Sequence, residues 1–562
     1  MAERVGDRAV VLGGSMAGLL AARVLADSFG EVLVVDRDQL TGVTGYRRGV
    51  PHGRHAHGLV ARGQQILEAQ FPGLTRELIA AGVRPGDFSS DIRWYFNGRQ
   101  LATAASGLVS VPATRPVLEF HVRRRVQAIP NVTFLERCDI LGLETTADGS
   151  RVTGARLQRQ VDGIEWIATA DLVLDTTGRG SRTPAWLAEL GYARPEEERV
   201  KIGLAYTTRH FQLESDPFGA DLAIIPVATP THPRGAFFYR LPGDDNRVEL
   251  SLTGILGDHP PTDTDGFLDF VRSLPVPDIH RAVHRAQPLD DAVCFRFPAS
   301  VRRHYEHLTR FPQGYLVMGD AVCSFNPVYG QGMTVAALES LTLARHLRTG
   351  EPPRARAFFH DLAADIDAPW ELAAGSDLGY AGVQGHRTLK VRMANAYMSR
   401  LQHAAVHDAG ITNAFFRAAG LIDPPSALME DGAVVARLQV PEGELEVRAD
   451  YMIDCTGLEG DVAEHRVLRD LLEHGGARRN PLGRMDVDRS FQLRGAASGD
   501  GRAYVTGAAS YGGYFPGVDT FLGLQISAQE VVDDMARRGR CRHLGPLRST
   551  AEWLKWVSGR TI

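Results

Sequence analysis

The first forty residues alternate between short apolar runs and small polar breaks, which predicts a strand, a helix and a second strand. Apolar strands are predicted at Ala9–Leu12 and Glu31–Val35, with an Ala- and Leu-rich helical run at Leu19–Ala26 between them. A glycine-rich turn joins the first strand to the helix, and it reads Gly13-Gly14-Ser15-Met16-Ala17-Gly18. This order of elements predicts a βαβ unit.

Two later apolar runs show the same pattern of a short strand that ends in an acid beside glycine. Leu172–Leu174 leads into Asp175, Thr176, Thr177 and Gly178. Tyr315–Met318 leads into Gly319 and Asp320, after which Pro327, Gly330 and Gly332 precede an Ala-rich helix. We expect both strands to place their acids at the carboxyl edge of a sheet.

The middle of the chain has a different pattern, rich in β-branched and aromatic residues. Strands are predicted within Lys201–Gln212, Leu222–Val227, Gly235–Leu241 and Arg247–Leu256, separated by turn-forming residues. Residues 351–430 are predicted to be mainly helical. The pattern therefore indicates a sheet inserted between the strand near Asp175 and the strand near Asp320.

The glycine turn and the two acids suit a dinucleotide-like cofactor. The turn is a variant of G-x-G-x-x-G with Ser15 in place of the middle glycine, and Asp36 follows Gly18 by 18 residues. This spacing is close to the ~20 residues that separate a phosphate loop from its ribose-binding acid. Asp320 can accept hydrogen bonds from a polyol, and amides at the start of the helix near Gly332 can stabilise an anion. A flavin joined to ribitol and a diphosphate requires both groups.

These three motifs together resemble those of FAD-dependent monooxygenases, whose GD motif corresponds to Gly319-Asp320 and whose DG motif corresponds to Asp175–Gly178. Thr176-Thr177 departs from the Asp-Ala or Asp-Gly that is usual in the DG motif. Three segments resemble the bacterial branch that contains polyene epoxidases of polyether biosynthesis, which is related in mechanism to squalene epoxidase: RRGVPHGRHAH (47–57), PASVRRHYE (298–306) and GDAVCSFNPVYGQGMT (319–334). The resemblance extends from about residue 7 to about residue 437.

The resemblance implies an α/β fold with a Rossmann-type (GR2-like) FAD-binding domain. The implied segments are 1–190 and 311–350 for FAD binding, 191–310 for a substrate-binding β-sheet domain, 351–437 for a helical region, and 438–562 for a partial second flavoprotein-like repeat. The residues that it assigns to FAD are Gly13, Ser15, Met16, Ala17, Gly18, Asp36, Arg37, Arg48, Arg54, His55, Arg115, Asp175, Gly178, Gly319, Asp320, Pro327, Gly330, Gly332, Met333 and Thr334. The arginines that follow in the helix after Arg115, namely Arg123, Arg124 and Arg125, are predicted to form a solvated face.

The activity that the resemblance implies is insertion of one oxygen atom from O2 into a bulky apolar secondary metabolite, by epoxidation or hydroxylation through a flavin C4a-hydroperoxide. NAD(P)H is the expected electron donor, either directly or through a partner flavin reductase. Epoxidation requires no acid, base or nucleophile, and the sequence nominates none. A flavin-dependent reductase of isoprenoid double bonds remains an alternative, as does a flavin-binding scaffold. The absence of W-x-W-x-I-P disfavours the tryptophan-halogenase subtype.

The carboxyl-terminal part echoes two of the motifs. Gly443–Gly457 resembles Gly163–Gly178, and Arg502–Phe521 resembles the region of the GD motif, with Ala508 at the position of Asp320. The two echoes are only 50 residues apart, against 141 in the first copy, and no glycine fingerprint precedes them. We therefore expect packing or a dimer contact here rather than a second FAD site.

Composition narrows the alternatives. The 562 residues carry a formal net charge of −5, which gives no reason to expect nucleic-acid binding. Five scattered cysteines suit a reducing cytoplasm and lack zinc spacing, and His55 and His57 lack a nearby partner ligand, so no metal is expected. No uninterrupted apolar run of ~20 residues predicts a transmembrane segment, although peripheral membrane contact is left open. The predicted location is cytoplasmic.

Overall fold

The computed structural model describes residues 4–243, 246–425, 427–430, 434–440, 443–449, 462–464, 466–496, 503–505, 510, 530–531, 533–534 and 537. The chain divides into two compact units, 1–431 and 432–562. The predicted division into five segments is finer than this and stays a prediction.

Unit 1 mixes helices and strands along its whole length. Its helices are α1 (Met16–Leu25), α2 (Ala61–Gln70), α3 (Leu74–Ala80), α4 (Arg115–Gln127), α5 (Thr183–Glu189), α6 (Thr264–Arg272), α7 (Pro277–Val283), α8 (Gly332–Leu347), α9 (Ala355–Asp377), α10 (Leu389–Ala405), α11 (Ala409–Ala419) and α12 (Ala427–Glu430). Its strands are β1 (Gly6–Leu12), β2 (Phe29–Val35), β3 (Gly86–Asp87), β4 (Ile92–Phe96), β5 (Arg99–Gln100), β6 (Val109–Ser110), β7 (Val132–Leu135), β8 (Cys138–Thr145), β9 (Val152–Arg159), β10 (Glu165–Thr169), β11 (Leu172–Asp175), β12 (Glu196–Val200), β13 (Leu204–Gln212), β14 (Ala223–Val227), β15 (Arg234–Arg240), β16 (Arg247–Gly254), β17 (Gln287–Pro288), β18 (Val293–Phe297), β19 (Ser300–His304), β20 (Tyr315–Val317) and β21 (Cys323–Ser324).

A five-stranded parallel sheet organises the first part of unit 1, in the order β20-β11-β1-β2-β7. Leu12 pairs with Asp175, and Asp175 pairs with Val317, so β1, β11 and β20 end at the same edge. The apolar residues of β1 and β11 are almost fully buried because helices such as α1 and α8 pack on the sheet. The predicted parallel α/β fold is confirmed, and its carboxyl edge gathers the residues after β1, β11 and β20.

A separate eight-stranded sheet contains the four β-rich segments from the middle of the chain, in the order β17-β13-β16-β15-β14-β4-β5, with β18 also paired to β13. Strand β4 comes from much earlier in the chain and pairs in parallel with β14. The sequence pattern gives no sign that β4 joins this sheet, because its pairing partner lies more than a hundred residues away.

Unit 2 contains an antiparallel pair, β22 (Val434–Val440) with β23 (Gly443–Ala449), and a helix, α13 (Arg466–Glu473). A small apolar cluster includes Val462, Met485, Phe491 and Leu493. Of the first predicted echo, only β23 is described, and most of the second echo, including Ala508, lies outside the described residues.

Candidate functional site

The glycine turn after β1 is packed so tightly that two of its positions exclude any side chain. Gly13 has φ +103°, and a Cβ there would lie 2.6 Å from the carbonyl oxygen of Thr176. A Cβ on Gly18 would lie 1.9 Å from the Gly13 carbonyl oxygen. Helix α1 begins directly after Ser15, and no side chain caps its first turn. The turn therefore leaves the positive end of α1 open at the sheet edge.

Asp36 at the end of β2 is buried and supports this turn. Its carboxylate accepts hydrogen bonds from the Gly14 amide at 2.7 Å and from the Asp38 amide at 2.8 Å. Burial raises the pKa of Asp36, although Arg47 opposes this rise. The predicted ribose-binding acid thus lies beside the loop, where it also holds the loop's backbone.

The DG motif is tied to the glycine turn through Thr176, which explains the departure from the usual motif. The Thr176 hydroxyl donates to the carbonyl oxygens of Leu12 at 2.8 Å and Gly13 at 3.0 Å. Asp175 is fully buried and accepts from the Thr177 amide at 2.8 Å and from nearby hydroxyl groups, including that of Ser181 at 2.6 Å. Asp175 therefore shapes this strand end, and a threonine at 176 fastens it to the loop.

The GD motif lies against the start of α1. Gly319 has φ +69°, and a Cβ there would come within 2.7 Å of the Ala17 Cβ. No hydrogen bond from a described residue reaches the Asp320 carboxylate. Its Oδ1 lies 3.9 Å from where a Cβ on Gly332 would stand, and a Cβ on Gly178 would lie 4.0 Å from its Cβ. Burial raises the pKa of Asp320, and this rise is opposed by Arg179, Arg115 and Arg303. A carboxylate held between three motifs without a protein partner suits a bound polyol.

Helix α8 presents a second open amino terminus. Gln331 precedes it without forming a side-chain cap, so the amides of Gly332, Met333 and Thr334 remain available. Gln331 Oε1 and Thr334 Oγ1 are also buried without a hydrogen-bond partner among the described residues. The loop before this helix turns at Gly330, with φ +67°.

A buried carboxylate on α9 holds the same loop. Asp377 Oδ1 accepts from Asn326 Nδ2 at 2.8 Å and from the Tyr329 hydroxyl at 2.9 Å. These two donors flank Pro327, which the sequence assigns to the cofactor. Burial raises the pKa of Asp377 to about 7, against the lowering effect of both hydrogen bonds.

Glu339 on α8 is a buried acid directly behind the GD motif. Its Oε2 accepts from the Gly319 amide at 2.5 Å, and its side chain has no exposure to solvent. Burial raises the pKa of Glu339 to about 8. The residue is therefore a neutral carboxylic acid at pH 7.

Replacing Glu339 by Gln should remove a pH-dependent loss of stability. The pKa of Glu339 in the folded state lies above its unfolded value near 4.5. The free energy of unfolding is therefore highest below pH 4.5, and this residue lowers it as the pH rises toward 8. At pH 7 the penalty is about 3 kcal/mol, and Gln keeps the acceptor for Gly319 without it. Urea unfolding at pH 5 and pH 8 checks this: the variant should gain on the wild type as pH rises. Parallel pH curves for the two proteins would contradict the assignment.

A buried arginine cluster surrounds Glu119 of α4 beside the glycine turn. Glu119 Oε1 accepts from Arg47 Nε at 2.8 Å and Arg123 Nη1 at 3.2 Å, and Oε2 accepts from Arg115 Nε at 3.1 Å and from the Ser15 hydroxyl at 3.0 Å. Burial alone would raise the pKa of Glu119, but the three arginines lower it. Arg115 also donates to Ser15 Oγ at 2.8 Å. Arg115 and Ser15, both predicted to bind the cofactor, are therefore in one network.

The structure places the arginines of this region differently from the sequence interpretation. The prediction that Arg123 lies on a solvated face is wrong. Its side chain is only 3 % exposed and pairs with Glu119, because Arg123 lies on the face of α4 that points toward the glycine turn. Arg47, which the sequence analysis did not select, is buried and also pairs with Asp38 at 3.3 Å. Arg37, Arg48 and Arg54 are exposed, and Arg54 stacks on the Tyr46 ring at 4.9 Å. The sequence pattern does not show which arginine of the adjacent pair Arg47 and Arg48 is buried and which is exposed.

The segment with three histidines packs between this cluster and the loop before α8. A Cβ on Gly330 would lie 3.4 Å from the Gly58 carbonyl oxygen. The pKa of His52 is lowered by burial, then by the charges of His57, Arg115 and Arg179. His55 Nδ1 lies 2.8 Å from Thr208 Oγ1, whereas His57 Nδ1 lies 2.7 Å from the His55 carbonyl oxygen. His55 and His57 thus have separate partners and do not converge on one point.

One other group, His304, Glu306 and His307, places ligand atoms within 4.8 Å of one another among the described residues. Hydrogen bonds to Glu198 and Glu306 raise the pKa of His304 to about 9. A protonated imidazole is a poor metal ligand. The expectation of no metal stays a prediction.

Comparisons with known proteins place this geometry in context. No protein-family model matches the chain. Protein Rv3254 of Mycobacterium tuberculosis is 34 % identical over 449 residues, covering 75 % of this chain and 92 % of that protein. This chain belongs to the family of Rv3254.

Solved structures share the fold. The flavin-dependent brominase Bmp2 matches with a TM-score of 0.53 and 15 % identity, covering 74 % of this chain and 93 % of that one. A flavoprotein/dehydrogenase from Cytophaga hutchinsonii matches with a TM-score of 0.55 and 14 % identity, covering 75 % and 96 %. The chain thus shares the fold of these two flavoproteins, which agrees with the flavoprotein fold that the motifs predicted. The closer resemblance to polyene epoxidases stays a prediction, as does the role of each residue assigned to FAD.

Within the part of the chain that the structure describes, no helix is both long enough and apolar enough to cross a membrane.

Proposed function

We propose that this protein is an FAD-dependent monooxygenase that inserts one oxygen atom from O2 into a bulky apolar metabolite. The observation that carries the proposal is the Asp320 carboxylate, which lacks a described protein partner and lies between the glycine turn and the open start of α8. Shared fold with a flavin-dependent brominase and a flavoprotein/dehydrogenase supports the cofactor.

The residues present fit FAD. Gly13 and Gly18 allow the tight turn and the close packing of the backbone around it. Ser15 is small, so a diphosphate could approach the amino terminus of α1, where the helix dipole favours negative charge. Asp320 would accept hydrogen bonds from ribitol hydroxyls. The amides of Gly332 and Met333 would stabilise negative charge on the pyrimidine edge of a reduced flavin.

The bound flavin would supply the activation of O2, and the protein's own contribution is orientation and exclusion of water. Asp377 would hold the loop around Pro327 at the flavin edge through Asn326 and Tyr329. NAD(P)H, used directly or through a separate reductase, would be the source of electrons. This chemistry is consistent with a cytoplasmic enzyme that binds apolar substrates at a membrane surface.

A flavin-dependent reductase of double bonds is the second candidate, favoured by the same fold in a flavoprotein/dehydrogenase. Such an enzyme would bind FAD at the same site but would need no oxygen. The two functions differ in whether the product contains an atom from O2.

An isotope experiment separates them. The purified flavoprotein is reduced with dithionite under argon, mixed with ¹⁸O2-saturated buffer, and supplied with a panel of polyenes and phenolic polyaromatics. We expect a product that carries one ¹⁸O atom, because one atom of O2 enters the substrate and the other leaves as water. A product that gains two hydrogens under argon and contains no ¹⁸O would contradict the oxygenase and support the reductase.

A further inference from the structure

One face of the ladder between β13 and β16 carries a row of polar side chains that are hydrogen-bonded to one another. Thr208 pairs with Ser251, and the next pair on this face joins His210 to Glu249. Thr208, Ser251 and Glu249 are each at most 2 % exposed. Because directly paired residues on neighbouring strands point to the same face, these side chains are forced into contact.

The row is connected to His55 at its inner end and to Asp290 at its outer end. At the inner end, His55 Nδ1 lies 2.8 Å from Thr208 Oγ1, and Thr208 Oγ1 lies 2.5 Å from Ser251 Oγ. The Ser251 hydroxyl donates to Glu249 Oε1 at 3.0 Å. His210 continues the row to the surface.

At the outer end, Glu249 Oε2 lies 3.5 Å from His210 Nε2. His210 Nδ1 lies 2.5 Å from Asp290 Oδ2, and the Asp290 side chain is 41 % exposed. Burial would lower the pKa of His210, but its hydrogen bonds to Glu249 and Asp290 raise it to about 9. A continuous path therefore runs from buried His55 to solvent.

The hydrogen bonds fix the direction of the path. Ser251 has one hydroxyl proton, which it donates to Glu249, and it also accepts from the Ala56 amide at 3.0 Å. Thr208 must then donate to Ser251 and accept from His55 Nδ1. The proton of neutral His55 is therefore on Nδ1, and Nε2 has a lone pair.

His55 Nε2 is buried and has no hydrogen-bond partner among the described residues. Leaving a buried acceptor unpaired costs roughly 1–3 kcal/mol, so an orphan at a candidate site points to a missing ligand. The His55 ring lies 5.7 Å from the Phe295 ring and 5.8 Å from the Tyr206 ring. The His52 ring lies 5.9 Å from the same Phe295 ring. The charges of Arg115 and Arg179 contribute to the lowered pKa of His52. His55 therefore lies beside the proposed flavin site, among aromatic rings.

We propose that His55 is a general base for a substrate with an acidic hydroxyl, a phenol or an enol, and that the row from Thr208 to Asp290 conducts its proton to solvent. The assignment rests on the proposed flavin chemistry and narrows its substrate class. A phenol gives up its proton to His55 Nε2, while His55 Nδ1 releases its own proton to Thr208. Thr208 protonates Ser251, Ser251 protonates Glu249, and Glu249 protonates His210 as that residue releases a proton to Asp290 and water. One proton enters and one leaves, and the phenolate ring becomes electron-rich for attack on an electrophilic oxygen.

The groups around the row are accounted for. Burial, then the charge of Arg54, lowers the pKa of His55 to about 4, so the ring is neutral at pH 7. Tyr46 and Tyr239 face Glu249, and burial raises the pKa of each, so both stay protonated.

Histidine NMR tests the row without any cofactor. In protein labelled with ¹⁵N-histidine, with each signal assigned from a His→Gln variant, His55 should carry its proton on Nδ1 and His210 should be protonated on both nitrogens at pH 7.5. Thr208→Val should remove the Nδ1 preference of His55 and leave His210 doubly protonated. The matched control is Thr207→Val, a buried threonine on the other face of β13 that donates to the Pro260 carbonyl oxygen, and it should leave both signals unchanged. A proton on Nε2 of His55, or neutral His210, would overturn the relay.

A phenol probe tests the chemistry in the flavin-loaded protein. We expect 4-nitrophenol to bind as its phenolate below its solution pKa, and His55→Gln to weaken phenolate binding at least about tenfold, which is one pKa unit. Thr208→Val should slow proton release to a pH indicator by roughly tenfold or more. No phenolate signal, or one that His55→Gln does not change, overturns the base. The visible spectrum of the same sample separates this from failure of the proposed function, which would show as absent flavin.

Discussion

Gly13→Val should abolish retention of FAD. A Cβ at this position would lie 2.6 Å from the Thr176 carbonyl oxygen, and the backbone has a positive φ that valine resists. The turn would have to open, and the approach of a diphosphate to the start of α1 would be lost. The purified variant should be colourless, whereas the wild type should be yellow.

Two further variants separate this effect from misfolding. Gly163 also has a positive φ, of +71°, but no atom lies within 4 Å of its would-be Cβ, so Gly163→Val carries strain without the clash and should keep FAD. Asp320→Ala should leave the fold intact, because no described residue hydrogen-bonds to that carboxylate, yet weaken FAD at least about tenfold by loss of charge-assisted hydrogen bonds. Retained FAD in Gly13→Val, or unchanged FAD affinity in Asp320→Ala, would refute the proposed FAD site at the glycine turn and Asp320.

Glu119→Gln should be the most destabilising single charge change in this region. The substitution leaves Arg47, Arg115 and Arg123 buried without the carboxylate that all three share. Removing one partner from a buried ion pair typically costs ~3–5 kcal/mol. Urea unfolding at pH 7 measures the loss.

The matched control is Glu77→Gln. Glu77 also pairs with two arginines, Arg124 and Arg125, but its side chain is 27 % exposed and solvent screens the pairs. Its loss should cost at most about 1 kcal/mol. Equal effects for the two variants would mean that the Glu119 cluster contributes no more than an exposed ion pair.

The sequence could predict the sheet edge because the requirements there are local. A short apolar strand that ends in Asp175 or Asp320, followed by glycine, encodes both burial and a turn within a few residues. The strand registers then bring these ends together, since parallel strands share an edge. The glycine positions were predictable for the same reason: Gly13 and Gly319 are the residues at which another backbone or helix approaches.

The remaining features depend on contacts between distant segments. Whether Arg47 or Arg48 turns inward is decided by Glu119, which lies about seventy residues later. The partner of His55 is Thr208, and the pairing of β13 with β16 creates the rest of the row. One pattern did hold information: Glu249, Ser251 and Thr253 alternate with apolar residues along β16, and all three are buried, which is unusual for plain core.

The most direct test is the visible spectrum of the purified 562-residue chain, with the flavin then released by heat and quantified. We expect about one FAD per chain for the wild type, because the described part of unit 1 holds one such glycine turn, with Asp320 and the open start of α8 beside it. Protein that is fully folded by circular dichroism but carries no flavin, and takes up none from added FAD, would contradict it.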